Sequence, residues 1–212
     1  PAYAEAYSNK GNAYEWLRRH SEAMECYDKS TAINSQYVDA YWHKAISQLA
    51  DGNYDLGWQN YEARWSKSHP ITFQYANVPR LENLNNLSGK KLLIWAEQGL
   101  GDTLQFCRYI KLLADLGCEV TFVVQKPLIK VLSSLTSHCK LVEGMESPAI
   151  GFDYQSPLLS LPIVFHTSIQ TIPANTPYIG FDQIKKQEFQ SRLIKAGNLK
   201  VGLVWNGGFR AD

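Results

Sequence analysis

The pattern of apolar and polar positions divides the chain into two kinds of sequence. Residues 3–66 contain no strand-like run, and their apolar positions recur at the spacing of amphipathic helices. After residue 90, short apolar runs such as KLLIWA and EVTFVVQ alternate with helical patterns. Runs of this kind are typical of buried parallel strands. The alternation predicts a helical region followed by an α/β region with a doubly wound parallel sheet.

The helical region repeats itself with a period of 34 residues, as when Tyr7 recurs as Tyr41. This is the tetratricopeptide period, in which each unit is a pair of antiparallel helices. Gly11 takes the position of the small residue where two helices cross, and Tyr27 takes the position of the large residue that packs beside it. The pattern therefore predicts tetratricopeptide hairpins over residues 1–66.

The second repeat carries an aromatic face. Trp58, Tyr61 and Trp65 follow one another at i, i+3 and i+7 in LGWQNYEARW. Because roughly three repeats are needed for a stable stack, we expect this face to dock on the next domain. We also expect further repeats to precede residue 1.

The remaining chain divides by composition and pattern. Residues 67–90 are rich in Pro, Asn and Ser and predict a linker, before a Rossmann-like region over 91–200. Helices are expected over 103–117, 127–136 and 183–195, and a last strand over 200–208. We expect residues 201–212 to be the start of a second, truncated half.

Composition and charge argue against two classes of protein, those that bind nucleic acid and those that span a membrane. Lys and Arg number 21 against 20 Asp and Glu, which gives a net charge of +1. No basic stripe indicates a nucleic-acid surface, and no run approaches the roughly 18 apolar residues of a membrane helix. We therefore expect a protein without a membrane span that does not bind nucleic acid, and the cysteine usage described next favours a reducing cytoplasm.

Cysteine and histidine spacing predicts neither a metal site nor a disulfide framework. No two of the four cysteines have CxxC spacing, and four of the histidines share no ligand spacing. The residues concerned are Cys26, Cys107, Cys118, Cys139, His20, His43, His69 and His138. We expect buried free thiols, because each cysteine lies in an apolar periodic segment.

The glycine loop in WAEQGLGDTLQF lies between the first strand and the first helix of the α/β region. Open α/β sheets bind ligands at this edge. A dinucleotide fingerprint requires a third glycine where Leu104 stands, and an acid where Gln125 stands. A phosphate-binding P-loop requires Gly-Lys-Ser/Thr, but here Gly101 is followed by Asp102. Neither nucleotide motif is present.

Two interpretations of Asp102 remain. It could be the N-cap of the following helix, with Gln105 completing a capping box. Alternatively, its carboxylate could take a proton from an acceptor hydroxyl as a general base. The two roles are only partly compatible, because a carboxylate fully engaged in capping is a weaker base.

Several motifs carry a resemblance to known families. EQGLGDTLQF, SPLLSLP and KVGLVWNGG resemble bacterial tetratricopeptide proteins with a C-terminal glycosyltransferase region, which is similar to the lipopolysaccharide heptosyltransferase family. AEAYSNKGNAY resembles the repeats of O-linked N-acetylglucosamine transferase. The resemblance implies a GT-B fold of two Rossmann-like halves, with a nucleotide-sugar donor and no metal or cofactor.

The resemblance also implies roles for particular residues. Asp102 would be the catalytic base in a loop shaped by Gly99 and Gly101. It also places Asn206, Gly207 and Gly208 near the donor phosphates. Apart from the resemblance, position at the ligand edge of the sheet makes His166 an expected acceptor contact or second acid/base, and the Ser160 and Thr167 hydroxyls could bind a sugar. The full set of expected substrate contacts is Gln98, Gly99, Gly101, Thr103, Ser160, His166 and Thr167. Alternatively, His166 is an ordinary loop residue, and the Ser160 and Thr167 hydroxyls cap turns.

The repeats suggest a second site. Asn9 and Asn12 fall on the inner face of the first helix, where asparagines can hold the backbone of an extended peptide. His43 occupies the position that matches Asn9 in the second unit, so we expect a broken asparagine ladder, and a merely solvated groove is the alternative.

Two functions therefore compete. One is the acceptor-side part of a nucleotide-sugar-dependent transferase, whose repeats bind a protein or peptide acceptor. We expect such a part to be inactive without its donor-binding half. The other is a non-catalytic tetratricopeptide scaffold for protein–protein interaction.

Overall fold

The computed structural model describes residues 3–144 and 149–193. The chain forms two compact units, Pro1–Ile179 and Gly180–Asp212. The first unit begins with four helices and a short 3₁₀ helix, which are α1 (Ala4–Trp16), α2 (His20–Ile33), α3 (Val38–Ala50), α4 (Tyr54–Tyr61) and the 3₁₀ helix Glu62–Trp65.

The two helical hairpins pack by placing small residues against large ones, as the repeat predicts. A Cβ atom on Gly11 would lie 2.4 Å from Cε1 of Tyr27, so only glycine fits at this crossing. In the second hairpin, a Cβ atom on Gly57 would lie 2.7 Å from Cδ2 of Leu49. The prediction of close helix crossings at Gly11 is confirmed.

A four-stranded parallel sheet follows, in the order β3-β2-β1-β4. Its strands are β1 (Lys91–Trp95), β2 (Glu119–Val124), β3 (Lys140–Glu143) and β4 (Tyr154–Pro157). The accompanying helices are α5 (Leu100–Phe106), α6 (Arg108–Asp115) and α7 (Leu161–Val164), with 3₁₀ helices at Lys126–Leu128, Ser133–Ser137 and Leu158–Ser160. The coarse prediction of helical repeats before a parallel sheet is confirmed.

Alternate residues of β1 enter two separate cores, because successive side chains of a strand point to opposite faces. Leu92 and Ile94 join the larger core, which includes side chains of α6 and α7 and Tyr61 of the repeats. Leu93 and Trp95 join a smaller core on the other face. Both faces of the sheet are therefore buried, as its continuous apolar strands predict.

Among the described residues of the unit Pro1–Ile179, no α-helix packs on the smaller core. Tyr75 and Val78 pack there together with Trp65 and Ala149. The segment 67–90 contains no helix or strand element, yet Leu81 and Leu87 of this segment are also buried in the larger core. This irregular segment thus supplies packing to both faces of the sheet.

The prediction of an α-helix over residues 127–136 is wrong. Two 3₁₀ helices, Lys126–Leu128 and Ser133–Ser137, take its place. The hydroxyl of Thr136 donates to the carbonyl of Ser133, and that of Ser137 to the carbonyl of Ser134. Such local bonds compete with a regular α-helix.

The second unit contains α8, Gln183–Leu193, in its described part. This helix begins where the sequence predicts it. The strand expected over 200–208, and the beginning of a second half over 201–212, lie outside the described residues. In the described part of the chain, no helix has the length and apolar character that crossing a membrane requires.

Candidate functional site

The glycine loop lies at the carboxyl end of β1. The strand ends at Trp95, and α5 begins at Leu100 with Gly99 as its N-cap. Gly99 and Gly101 are exposed, so neither the repeats nor the sheet covers this stretch. The loop therefore opens to solvent at the edge where parallel sheets bind ligands.

Asp102 lies in the first turn of α5 and is not its N-cap. One of its oxygens, Oδ2, accepts a hydrogen bond from the backbone N–H of Gly99 at 3.0 Å. The predicted capping box of Asp102 with Gln105 is therefore wrong by three positions, since Gly99 is the cap and Asp102 is the residue that reaches back. The described residues provide no partner for the second oxygen, Oδ1.

Neighbouring side chains hold the loop in place. Gln98 donates from Nε2 to the hydroxyl of Tyr61 in α4 at 2.7 Å. Gln125, at the end of β2, donates from Nε2 to the carbonyl of Gln98 at 2.7 Å and accepts from the hydroxyl of Thr103 at 3.0 Å. Gln98 and Thr103 therefore fix the loop through hydrogen bonds that are already made.

Gly101 has no packing reason to be glycine. A Cβ atom there would meet no heavy atom within 4 Å, and its φ is not in the left-handed region. Glycine in a helix costs about 1 kcal/mol relative to alanine. The fold thus leaves open space directly above the backbone of the loop.

A buried ion cluster lies beside the loop, and sequence reasoning missed it. The Arg64 side chain is fully buried and donates to Oε1 of Glu62 at 2.8 Å and to Oε1 of Glu97 at 3.2 Å. It also donates to the hydroxyl of Ser160 at 2.7 Å. Arg80 pairs with Glu62 and donates to Ser160 at 3.0 Å. The sequence did contain a clue to this cluster, because the charged residues Glu62 and Arg64 lie between aromatic residues in NYEARW.

The cluster shifts two carboxyl groups in opposite directions. Burial raises the pKa of Glu97 to about 7, against the opposing charge of Arg64. Burial also disfavours the ionised form of Glu62, but Arg64 and Arg80 outweigh it and hold the pKa of this carboxyl below its usual value. The Glu97 carboxyl therefore titrates near pH 7, whereas the Glu62 carboxyl is ionised at that pH.

The ion cluster lies between the carboxyl ends of β1 and β4, where the direction of the strand order changes. Glu97 follows β1, and its two oxygens accept the backbone N–H groups of Leu158 and Leu159, at 3.0 and 3.2 Å, just after β4. Such a switch point between neighbouring strands is a frequent ligand crevice in open sheets. Here Arg64, which belongs to the end of the repeats, binds Glu97 inside it.

The three residues expected after β4 are in different surroundings. Ser160 is fully buried in the ion cluster, where its hydroxyl donates to Glu62 at 2.9 Å. Thr167 is buried, and its hydroxyl lies 2.7 Å from that of Tyr109. His166 is exposed and has a left-handed φ of 48°. In the described part of the chain, none of these three side chains forms a hydrogen bond with Asp102.

The repeats present a polar inner face. Nδ2 of Asn12 lies 3.2 Å from Nε2 of His43, and Oδ1 of Asn12 accepts from the hydroxyl of Tyr27 at 2.9 Å. Burial lowers the pKa of His43, which agrees with a neutral ring that accepts from Asn12. His43 thus hydrogen-bonds to Asn12, while Asn9 is exposed.

The expected donor-phosphate residues, Asn206, Gly207 and Gly208, lie outside the described residues. The four cysteines are free and buried, as predicted. Burial raises the pKa of Cys107 to about 12 and that of Cys139 to about 11, so both thiols stay protonated and unreactive.

These features define a protein of α + α/β class, in which helical repeats precede a four-stranded parallel sheet with helices. The tetratricopeptide repeat family model matches residues 4–37, so the repeat is of that type. The chain is also similar to Protein FlbA of Caulobacter vibrioides, with 24% identity over 232 residues. That alignment covers 97% of this chain and 38% of the relative, so the chain spans well under half of that protein's length. Neither similarity is evidence for a heptosyltransferase-like region.

Proposed function

We propose that the chain is the acceptor-side part of a nucleotide-sugar-dependent glycosyltransferase of GT-B type. The observation that carries the proposal is the open glycine loop at the carboxyl end of β1, with the Asp102 carboxylate only half engaged. The repeats would bind a protein or peptide acceptor. Asn206, Gly207 and Gly208 would contact the donor phosphates, as their motif resemblance implies.

The chemistry assigned to the loop is general-base catalysis. The backbone N–H of Gly99 holds Oδ2 of Asp102, which leaves Oδ1 to accept the proton of an acceptor hydroxyl. The open space above Gly101 allows a substrate to approach the backbone closely. Among the residues after β4, only the exposed His166 is retained as a proposed substrate contact, because Ser160 and Thr167 are buried in other hydrogen bonds.

The test is sugar transfer by the full-length protein, measured with a panel of nucleotide sugars. Replacing Asp102 with Asn keeps the size of the side chain and removes the base, so we expect transfer to fall by about 100-fold or more. Asp115, exposed at the end of α6, provides the matched control Asp115→Asn, which is expected to keep full activity.

Thermal melting separates the two roles of Asp102. A weakened helix cap is expected to cost only about 1 kcal/mol of stability. Unchanged transfer by Asp102→Asn, with a lowered melting temperature, would overturn the catalytic assignment and leave the capping role.

A second candidate is a non-catalytic scaffold for protein–protein interaction. The observation that favours it is the crevice between β1 and β4, which Arg64 of the repeats already fills. The match to a tetratricopeptide repeat and the polar row of Asn12 and His43 support the same function.

The scaffold candidate is tested by selecting extended peptides that bind the protein and measuring their affinity. Loss of one peptide hydrogen bond in Asn9→Ala is expected to weaken binding by about tenfold. Asn85, exposed in the segment 67–90, provides the control Asn85→Ala. If no nucleotide sugar supports transfer and Asn9→Ala weakens peptide binding, the scaffold is the correct function.

A further inference from the structure

A cavity of about 240 Å³ lies between the second repeat hairpin and the helices that follow β1. Tyr54 and Trp58 of α4 line it from the repeats. Phe106, Arg108 and Tyr109 line it from α5 and α6. It is separate from the glycine loop residues Gly99 to Asp102, none of which lines it. Neither of the two candidate functions assigns it a role.

Four of the nine residues that line the cavity are aromatic. Trp58 and Phe106 meet edge to face with ring centroids 5.6 Å apart, and Phe106 stacks against Tyr109 at 6.3 Å. A cavity of about 150 Å³ lined by apolar side chains holds a benzene molecule. The larger volume here therefore accommodates a single aromatic ring together with a small substituent.

One wall has an unsatisfied donor. The indole Nε1–H of Trp58 is buried and has no hydrogen-bond partner in the part of the chain that the structure describes. A buried donor without a partner costs about 1–3 kcal/mol. Because this N–H is itself buried, a ligand in the cavity contacts the ring of Trp58 and not its donor.

The charge of the cavity is positive. Arg108 donates to the carbonyls of Gln105 and Pro173 at 2.7 and 2.8 Å, and its guanidinium lies 4.3 Å from the ring centroid of Tyr178. These contacts hold the guanidinium in place at the cavity. No carboxylate is present among the described residues that line the cavity, so the charge of Arg108 is not balanced there.

We propose that this cavity binds a small aromatic carboxylate. The ring matches the volume and the aromatic walls, and the carboxylate pairs with Arg108. The same chemistry is presented by a free aromatic acid and by an aromatic residue at the carboxyl end of a peptide.

The direct test is titration of the protein with sodium benzoate, followed by the indole N–H resonances in ¹H–¹⁵N spectra. The resonance of Trp58 is assigned from its loss in Trp58→Phe. For a probe of this size we expect saturable shifts of the Trp58 resonance with a Kd on the order of 1 mM. Benzamide, which has the same ring and no charge, is expected to bind about tenfold more weakly.

Variants of Arg108 test whether its charge binds the carboxylate of the ligand. Arg108→Gln is expected to weaken benzoate binding about tenfold and to leave benzamide binding unchanged. Lys111→Gln removes an exposed cation from the same helix and is expected to change neither. Arg108→Lys keeps the charge, and its benzoate affinity is expected to lie between those of the wild type and Arg108→Gln.

Three outcomes would overturn the proposal: no saturable shift of the Trp58 resonance, equal affinity for benzoate and benzamide, or unchanged benzoate binding in a folded Arg108→Gln. The comparison of benzoate with benzamide needs no variant and decides the matter even if Arg108→Gln fails to fold. N-acetylphenylalanine distinguishes the sources, because a site for peptide termini binds it at least as well as benzoate, and a site for free acids binds it more weakly.

Discussion

At the scale of single residues, burial decides the chemistry of each charged group. Asp102 is partly exposed and keeps one oxygen for solvent or substrate, whereas the Glu97 side chain is fully buried and all of its described partners are hydrogen-bond donors of the protein. Glu97 lies in the loop after β1, and Asp102 lies five positions later in the first turn of α5. Asp102 is therefore the candidate for chemistry, and Glu97 is a structural group.

Glu97 is expected to make the stability of the protein depend on pH. Its folded-state pKa of about 7 lies above the ordinary value of 4.5. The folded state therefore retains the proton, so this stabilisation is complete below about pH 4.5 and is lost as the pH rises through 7. Relative to Glu97→Gln, the wild-type free energy of unfolding is expected to fall by on the order of 2 kcal/mol between about pH 5 and pH 8.

The measurement is urea denaturation of both proteins at several pH values. The difference between them isolates Glu97, because His43, whose lowered pKa gives the opposite slope in this range, is common to both. A difference that does not change with pH would show that Glu97 is ionised throughout, as a simple ion pair with Arg64 would be.

At the scale of elements, small residues set how closely the helices approach. Gly11 touches the ring of Tyr27, which is almost fully buried and is held by the hydrogen bond of its hydroxyl to Asn12. Gly101, by contrast, has open space around it. Two helical glycines in one chain therefore have different reasons to be glycine.

Replacing Gly11 with Ala is expected to destabilise the protein. The new methyl group would lie 2.4 Å from Cε1 of Tyr27, and the ring cannot move without losing its bond to Asn12. The overlap is expected to outweigh the helix-propensity gain and to lower the free energy of unfolding by about 2 kcal/mol. The measurement is chemical denaturation.

Gly101→Ala is the matched control for this experiment. It adds the same methyl group in open space, so stability is expected to stay equal or to rise by up to about 1 kcal/mol. Equal effects of the two substitutions would show that helix propensity, and not the contact with Tyr27, determines the outcome at Gly11.

At the scale of the whole molecule, the repeats and the sheet belong to one compact unit, Pro1–Ile179. The predicted docking of the aromatic face is confirmed, because Trp58 packs on Phe106 and Trp65 packs on Trp95 of β1. Arg64 and its acidic partners join the same two parts through buried hydrogen bonds. The α/β part therefore covers the aromatic face of the second repeat hairpin.

Loss of Arg64 is expected to loosen this junction. Arg64→Met keeps most of the volume and leaves the buried Glu97 and Glu62 without their shared cation, which is expected to cost about 3–5 kcal/mol. Helix content and tryptophan fluorescence are expected to report one coincident unfolding transition in the wild type. Arg19→Met, which removes an exposed ion pair with Glu22, is the control and is expected to leave stability almost unchanged. Separate transitions for repeats and sheet in the wild type would contradict a single cooperative unit.

Local patterns were enough to predict the repeats, the parallel strands, the start of α8 and the buried cysteines. These features follow from periodicity and from the packing of neighbouring positions, such as Gly11 against Tyr27. The prediction of a helix over 127–136 is wrong for a reason that is also local. It relied on the spacing of apolar residues and gave too little weight to the hydrogen bonds that Thr136 and Ser137 make to nearby carbonyls.

Only the tertiary structure decided the surroundings of the candidate site. Arg64, Arg80, Glu97 and Ser160 are up to 96 positions apart in the chain, so no periodic pattern links them. Their charges are stable under burial only because each finds a partner from another element. The open space at Gly101 and the cavity beside Trp58 are likewise properties of packing. The sequence alone determined which elements form and which faces they bury, whereas long-range contacts determined which polar groups remain free to bind.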